Sequence, residues 1–118
     1  MTTLSLTVRE RSAGEPASSR EGAGPGQSVT VAVIGELDIA TVPRFTARMG
    51  ELARRGHLRE VVLDLSGLNF IDASGLRALV ELRSRLEQRH AGLVLTAVPP
   101  QMRRLLRLIG PARRFRVR

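Results

Sequence analysis

The sequence predicts a single α/β domain in which amphipathic helices cover a mixed, mostly parallel sheet. Short apolar, β-branched segments alternate along the chain with segments whose apolar residues recur at helical spacing. Such alternation requires crossover connections between parallel strands. The length of 118 residues suits one domain with its own hydrophobic core. The predicted element order is β-β-α-β-α-β-α-β.

The first two predicted strands form an antiparallel hairpin. Apolar and polar side chains alternate in residues 4–9, which is the pattern of a half-buried strand. Residues 28–35 are β-branched and apolar on both faces, so we expect this strand to lie in the middle of the sheet. Residues 11–27 are rich in Gly, Ser, Ala and Pro and have little to bury, which predicts a flexible loop inserted between the two strands.

A helix is predicted next, with Thr41 or Asp38 as its cap and Pro43 in its first turn. Apolar residues form one stripe along it: Val42, Phe45, Met49 and Leu52. Charged residues take the opposite side, and Gly56 is a suitable stop. Residues 59–68 then predict a third strand, because apolar residues alternate along it.

The rest of the chain repeats the alternation of helix and strand. A second helix is predicted from about Ala73 to Arg89, and a fourth strand at 92–99. The third predicted helix lies in "PPQMRRLLRLIGP", where it begins at two prolines and ends at Gly-Pro. Residues 114–118 predict a short edge strand. Each helix carries its arginines opposite its apolar stripe, so we expect the helices to lie on the sheet and expose their basic faces.

The chain has a net charge of +8, and all 19 of its basic residues are arginines. Such a charge is compatible with nucleic acid or an acidic partner. The arginines are spread over three predicted helices and both ends of the chain, and three phenylalanines are the only aromatic residues that could stack on bases. We therefore expect no direct contact with DNA. A basic nucleotide- or nucleic-acid-binding protein is kept as an alternative.

Nothing in the sequence predicts an enzyme, a metal site or a cofactor. There is no cysteine, and His57 and His90 lie in a predicted turn and near a helix end, where solvated histidines are expected. Phosphate-binding, zinc-protease and serine-hydrolase motifs are missing. No apolar stretch approaches the ~18 residues of a membrane span. No secretory signal is recognisable either, so we expect a cytoplasmic protein.

Acidic residues follow two of the predicted strands. Sites in α/β sheets form at the carboxyl ends of the strands. The second strand leads into Glu36-Leu37-Asp38, and the third leads towards Asp72-Ala73-Ser74-Gly75. If these strands are neighbours, the two loops emerge together at one rim of the sheet. For Glu36, the simpler interpretation is a turn or cap residue. For Asp38, a turn or cap role is the alternative to a contact with a partner.

Two segments resemble the signature of STAS domains, the family of bacterial anti-sigma-factor antagonists. They are "VVLDLSGLNFIDASGLRALV", residues 61–80, and "GELDIATVPRF", residues 35–45, and the resemblance extends over residues 29–110. It implies a single STAS domain that binds an anti-sigma factor, a serine kinase of the ATPase fold, and so regulates sigma-factor-dependent transcription. The implied partner-binding residues are Asp38, Asp72, Ala73, Ser74, Gly75 and Leu76.

The resemblance also implies a phosphorylation switch. In the family, the kinase modifies a serine at the start of the second helix, the modified form no longer binds, and a serine phosphatase restores it. A helix N-terminus favours an anion, while about two added negative charges disrupt an interface built without them. This chain departs from the usual Asp-Ser-Ser/Thr-Gly segment, because Ala73 occupies the acceptor position. Ser74, at the second hydroxyl position, becomes the candidate phosphoacceptor.

Several interpretations of this departure stay open. The first is that Ser74 has taken over as the phosphoacceptor. The second is that the protein is a constitutive antagonist. The third is that it is the STAS subunit of a lipid-transport ABC complex. For Ser74, the structural alternative is a first-turn hydroxyl that satisfies backbone donors, with Asp72 as the cap. Gly75 either lets a partner's backbone approach closely or is needed only for the strand-to-helix geometry.

Overall fold

The computed structural model describes residues 2–11, 26–108 and 115–118. These residues form six strands and three helices in the order β-β-α-β-β-α-β-α-β. The strands are β1 Leu4–Arg11, β2 Gln27–Leu37, β3 Leu58–Asp64, β4 Leu68–Ile71, β5 Gly92–Thr96 and β6 Arg116–Val117. The helices are α1 Val42–Ala53, α2 Ala73–Gln88 and α3 Pro100–Leu108. The predicted α/β class is confirmed, with one strand more than expected.

One mixed sheet contains all six strands. Its order is β1-β2-β3-β5-β6, and β4 pairs with β2 beyond the end of β3. The β1–β2 pair is antiparallel and the other pairs are parallel, so the predicted hairpin and the interior position of β2 are confirmed. Residues 12–25, most of the predicted flexible loop, lie outside the described residues, whereas Arg11 and Gln27 belong to β1 and β2.

The predicted strand at 59–68 is divided in two in the structure. β3 ends at Asp64, whose Oδ1 accepts a hydrogen bond from the N–H of Ser66 at 3.0 Å, and β4 begins at Leu68. This carboxylate stabilises a local turn that competes with the strand. The hydrophobic pattern does not reveal the break, because Leu65 and Leu68 on either side of the turn are both buried in the core.

All three helices pack on one face of the sheet. The crossovers through α1, α2 and α3 each move the chain in the same direction across the sheet, from β2 towards β6. Because such crossovers are right-handed, the helices lie on the same face. Buried residues of the three helices and of alternate strand positions join in a single core: Val31, Val33, Phe45, Met49, Leu63, Leu79, Leu86, Leu95 and Met102. The apolar stripe predicted for α1 is thus confirmed.

The starts of α1 and α2 follow the predicted signals closely. Pro43 lies in the first turn of α1, and α2 starts directly after Asp72. Strand β5 ends at Thr96, earlier than predicted, because Ala97 has a φ of 56° before the two prolines that open α3. The predicted C-terminal edge strand is β6. His57 and His90 are exposed at element ends, as expected.

Candidate partner-binding site

The loops that follow β2 and β4 leave the sheet side by side. These strands are parallel neighbours, and Leu37 pairs with Ile71, the last residue of each strand. Asp38 and Asp72 therefore occupy equivalent positions just beyond the sheet. The N–H of Asp72 also donates to the carbonyl oxygen of Leu37 at 3.3 Å. The prediction that both loops meet at one rim is confirmed, and "the rim" below means this edge of the sheet.

Asp72 fixes the start of α2. Its Oδ1 accepts a hydrogen bond from the N–H of Gly75 at 3.0 Å, and its carbonyl oxygen accepts from the N–H of Leu76 at 3.0 Å. This confirms Asp72 as the helix cap. The N–H groups of Ala73 and Ser74 donate to no described residue, so this helix end presents free donors and the positive end of the helix dipole at the rim.

Gly75 is buried where α2 crosses the end of β2. A Cβ atom built on it would overlap the carbonyl oxygen of Leu37 and lie 2.8 Å from Cγ1 of Ile71. The absence of a side chain on Gly75 therefore lets α2 approach β2 of the same chain closely. Of the two explanations for Gly75, the structure supports strand-to-helix geometry, and a contact of Gly75 with a partner stays a prediction.

The side chains at the first turn of α2 differ in their exposure. Ala73 is exposed, Ser74 is partly buried, and Leu76 is partly buried and packs against the core. The Ser74 hydroxyl makes no hydrogen bond with any residue that the structure describes. The role of satisfying backbone donors falls to Asp72 instead, so the structural alternative for Ser74 is not observed. Its hydroxyl is left without a partner next to the free N–H groups.

Asp38 is a turn residue and not an open carboxylate. It is only 8% exposed, and its Oδ1 accepts hydrogen bonds from the N–H groups of Ala40 and Thr41 at 2.9 and 3.2 Å. The Thr41 hydroxyl donates to the carbonyl oxygen of Glu36 at 2.8 Å and accepts from the N–H of Asp38 at 3.0 Å. A buried carboxylate requires such donors. The Asp38 carboxylate therefore stabilises the turn before α1, whose N-cap is Thr41, and a contact of Asp38 with a partner stays a prediction.

Two exposed apolar residues at the rim are missing from the predicted site. Ile39, next to Asp38, is 76% exposed, and Phe70, the residue before the last of β4, is 53% exposed. Large apolar side chains that stay exposed on a folded surface favour an interaction site. The sequence offers no signal for either one, since an apolar residue beside a strand end looks like core until the strand register is known.

The rim has no arrangement typical of a catalytic or metal site. Within residues 2–11, 26–108 and 115–118, no three His, Asp or Glu side chains gather as metal ligands. Ser74 has no histidine beside it, because His90 follows the opposite end of α2, a helix of 16 residues and therefore about 24 Å long. No helix in the described part of the chain is long and apolar enough to cross a membrane.

A one-sided mixed sheet with a capped helix start at the meeting of two loops defines a STAS-type α/β domain. Residues 23–116 match the family model described as "Mlab, STAS domain". The chain belongs to the STAS domain family, which confirms the resemblance based on residues 35–45 and 61–80.

Named relatives of this chain are anti-sigma-factor antagonists. The anti-sigma F factor antagonist of Paenibacillus polymyxa is 31% identical over 80 residues, which cover 68% of each chain. The crystal structure of an anti-sigma factor antagonist from Mycobacterium paratuberculosis aligns with a TM-score of 0.69 at 24% identity, over 96% of this chain and 85% of that one.

A further solved relative is known in two states. The antagonist SpoIIAA of Bacillus, in its unphosphorylated and phosphorylated forms, aligns with TM-scores of 0.62 and 0.61 at 23% and 22% identity. Both alignments cover 77% of this chain, and 78% and 82% of the SpoIIAA chains. At these identities the solved structures establish the shared fold.

Proposed function

We propose that this protein is an anti-sigma-factor antagonist, which binds an anti-sigma factor of the ATPase fold and so releases a sigma factor for transcription. The observation that carries the proposal is the rim itself, where free helix N–H groups lie beside the exposed side chains of Ile39, Phe70 and Ala73. The name of the P. polymyxa relative supports it. In this proposal the protein acts in the cytoplasm by binding and catalyses no reaction.

The rim has the composition of a protein contact surface. Exposed apolar side chains supply area that binding removes from water, and the helix start supplies directional hydrogen-bond donors. Because Asp72 and Gly75 hold the loops together from within, the surface is formed before a partner arrives. A surface that is already ordered loses little entropy on binding.

Ser74 is the proposed site of regulation. Its hydroxyl is partly exposed, lacks a described hydrogen-bond partner and lies in the first turn of α2. A phosphate there would be stabilised by the helix N-terminus, so the domain would stay folded while the rim gains about two negative charges. We propose that the anti-sigma factor is also the kinase and that a serine phosphatase reverses the modification. Ala73, at the position usual for the acceptor, has no hydroxyl.

Affinity purification of this protein from its source cell, followed by mass spectrometry, tests the proposal. The expected result is recovery of an ATPase-fold anti-sigma factor, and less of it with Ile39→Ser, which removes exposed apolar area from the rim. Recovery of transporter ATPase subunits instead would favour the alternative of a STAS subunit in a lipid-transport ABC complex, for which Ala73 is the motivating observation.

A further inference from the structure

Strand β1 forms one end of the sheet, and no described strand lies on its outer side. It pairs only with β2, at the start of the strand order, and it has eight residues. The open edge of such a strand can pair with a further strand. Many natural edge strands are protected by prolines or charged side chains, but residues 4–8 contain neither.

The peptide groups of the even-numbered residues from Leu4 to Glu10 point away from β2. In an antiparallel pair, peptide groups of successive residues point to opposite sides of the strand. The carbonyl oxygen of Thr3 accepts a hydrogen bond from the N–H of Glu36 at 2.8 Å, so the odd-numbered residues that continue this register face β2. The N–H and carbonyl groups of the even-numbered residues bond to no described residue. These groups are therefore available to an added strand.

The side chains make this edge nearly neutral and partly apolar. Leu6 and Val8 are half-buried and pack against the core from the face that the helices cover. The only charged residues in 4–10 are Arg9 and Glu10, whose charges cancel. Glu10 already pairs with Arg55 at 2.6 Å. Such an edge favours a neutral strand with alternating apolar residues over an acidic or a basic one.

The sequence of β1 is complementary to itself when two copies run antiparallel with Thr7 opposite Thr7. Leu6 then lies opposite Val8, and Ser5 lies opposite Arg9, so no like charges meet. The four outward-facing residues of each copy form four hydrogen-bonded pairs, which hold about eight hydrogen bonds. Centring the two strands on Leu6 or Val8 removes one of these pairs, and centring them on Arg9 places two arginines opposite each other.

We propose that β1 pairs with β1 of a second copy of this chain, in an antiparallel dimer centred on Thr7. The two sheets then join into one. Because the paired strands run in opposite directions, the two rims point in opposite directions and both stay open, so that one dimer holds two partners. A contact through one strand from each copy is smaller than a standard interface, which gives a reversible dimer with a Kd on the order of 100 µM.

The inference goes beyond the proposed function, because it concerns the edge of β1 and does not depend on what binds at the rim. Its tests need only the purified chain. A failure of the dimer would therefore leave the proposed binding of an anti-sigma factor untouched, and a failure at the rim would leave the dimer untouched.

Single cysteines test the register directly, because the chain contains no cysteine of its own. In the proposed dimer the two Thr7 Cα atoms are about 4.5 Å apart, which is within reach of a disulfide. The matched control is Ser5→Cys, at an equally exposed position on the same face, whose two copies lie about 14 Å apart. With oxidised glutathione, Thr7→Cys should form a covalent dimer on a non-reducing gel at least about tenfold faster than Ser5→Cys.

Sedimentation velocity of the cysteine-free chain tests the dimer without a covalent bond. The wild-type mass should rise from monomer to dimer between about 5 and 500 µM protein. Thr7→Lys places two like charges opposite each other and should raise the Kd about fivefold. Gln88→Lys adds the same charge at the exposed end of α2 and should leave the Kd unchanged. Equal urea midpoints of the two variants would show that both are folded.

The inference is overturned if the wild-type chain stays a monomer up to about 1 mM, if the two cysteine variants cross-link at equal rates, or if both lysine variants weaken the dimer equally. Slowed hydrogen exchange at the amides of Leu6 and Val8 that occurs only in a complex with a different protein would assign the edge to that protein. It would equally refute the second copy as the occupant.

Discussion

Asp72 and Ala73 are neighbours in the sequence and have different roles at the start of α2. Asp72 is turned inward and caps the helix, while Ala73 is exposed where the family usually has a serine. The sequence predicts part of this arrangement, because an aspartate directly before a helical segment is a typical N-cap, as Asp72 is for α2. The exposure of Ala73, and the finding that the Ser74 hydroxyl bonds to no described residue, depend on the folded structure.

We predict that Ser74 accepts phosphate. Incubated with the cognate anti-sigma kinase and ATP, the wild-type protein should gain one phosphate by intact-protein mass spectrometry, and Ser74→Ala should gain none. Ser84→Ala, an exposed serine on the same helix, serves as the matched control and should be phosphorylated normally. Equal phosphorylation of wild type and Ser74→Ala would exclude this site.

Gly75→Ala should destabilise the domain by about 3 kcal/mol, because the new methyl group would overlap the backbone carbonyl of Leu37, which β2 holds in place. Gly56→Ala is the control. No atom lies within 4 Å of a Cβ built there, and the cost of its φ of 76° is about 1 kcal/mol. Urea denaturation measures the free energy of unfolding of both variants. Similar small effects at the two positions would contradict the packing role of Gly75.

At the scale of elements, the helices and the hairpin follow from the sequence, whereas β4 does not. Helical spacing, Pro43 and Asp72 define the helix starts to within a residue or two. The break between β3 and β4 coincides with a turn in which the Asp64 carboxylate accepts a hydrogen bond from the N–H of Ser66, and such a turn gives no periodic signal. This short strand shapes the rim, because its end brings the two loops of the rim together.

The end of β5 offers a test at the same scale. Ala97 is exposed and has a φ of 56°, a left-handed conformation that disfavours residues with a Cβ. Ala97→Gly should therefore raise the free energy of unfolding by up to about 1 kcal/mol, measured by urea denaturation. The control Ala40→Gly, at an exposed loop position without a positive φ, should lower the free energy of unfolding. A loss of stability in Ala97→Gly would contradict the strain described at this turn.

At the scale of the whole molecule, the one-sided arrangement separates the core from the rim, where we propose that a partner binds. The helices cover one face of the sheet and the rim lies at the carboxyl ends of β2 and β4. The sequence predicted that the two loops meet there only on the condition that the strands are neighbours. It could not predict that Ile39 and Phe70 are exposed, because exposure is set by strand register and by the path of the chain around the rim.

The basic charge is also distributed over the molecule as predicted. Exposed arginines occur on or directly after every described helix and strands β1 and β6: Arg9, Arg44, Arg48, Arg54, Arg55, Arg77, Arg85, Arg89, Arg103, Arg104, Arg107, Arg116 and Arg118. Several arginines pair with acidic residues, as in Arg55–Glu10 at 2.6 Å and Arg118–Glu60 at 3.4 Å. This distribution favours solvated helix faces over a single footprint for nucleic acid.

We propose that the rim binds an anti-sigma factor, and the affinity of purified variants for the anti-sigma factor recovered with this protein tests this claim. Ile39→Ser should raise the Kd at least about tenfold by removing an exposed apolar side chain from the contact. Leu108→Ser removes a side chain of similar exposure, 80% against 76%, away from the rim and should leave the Kd unchanged. Equal affinities for Ile39→Ser and wild type would contradict the claim.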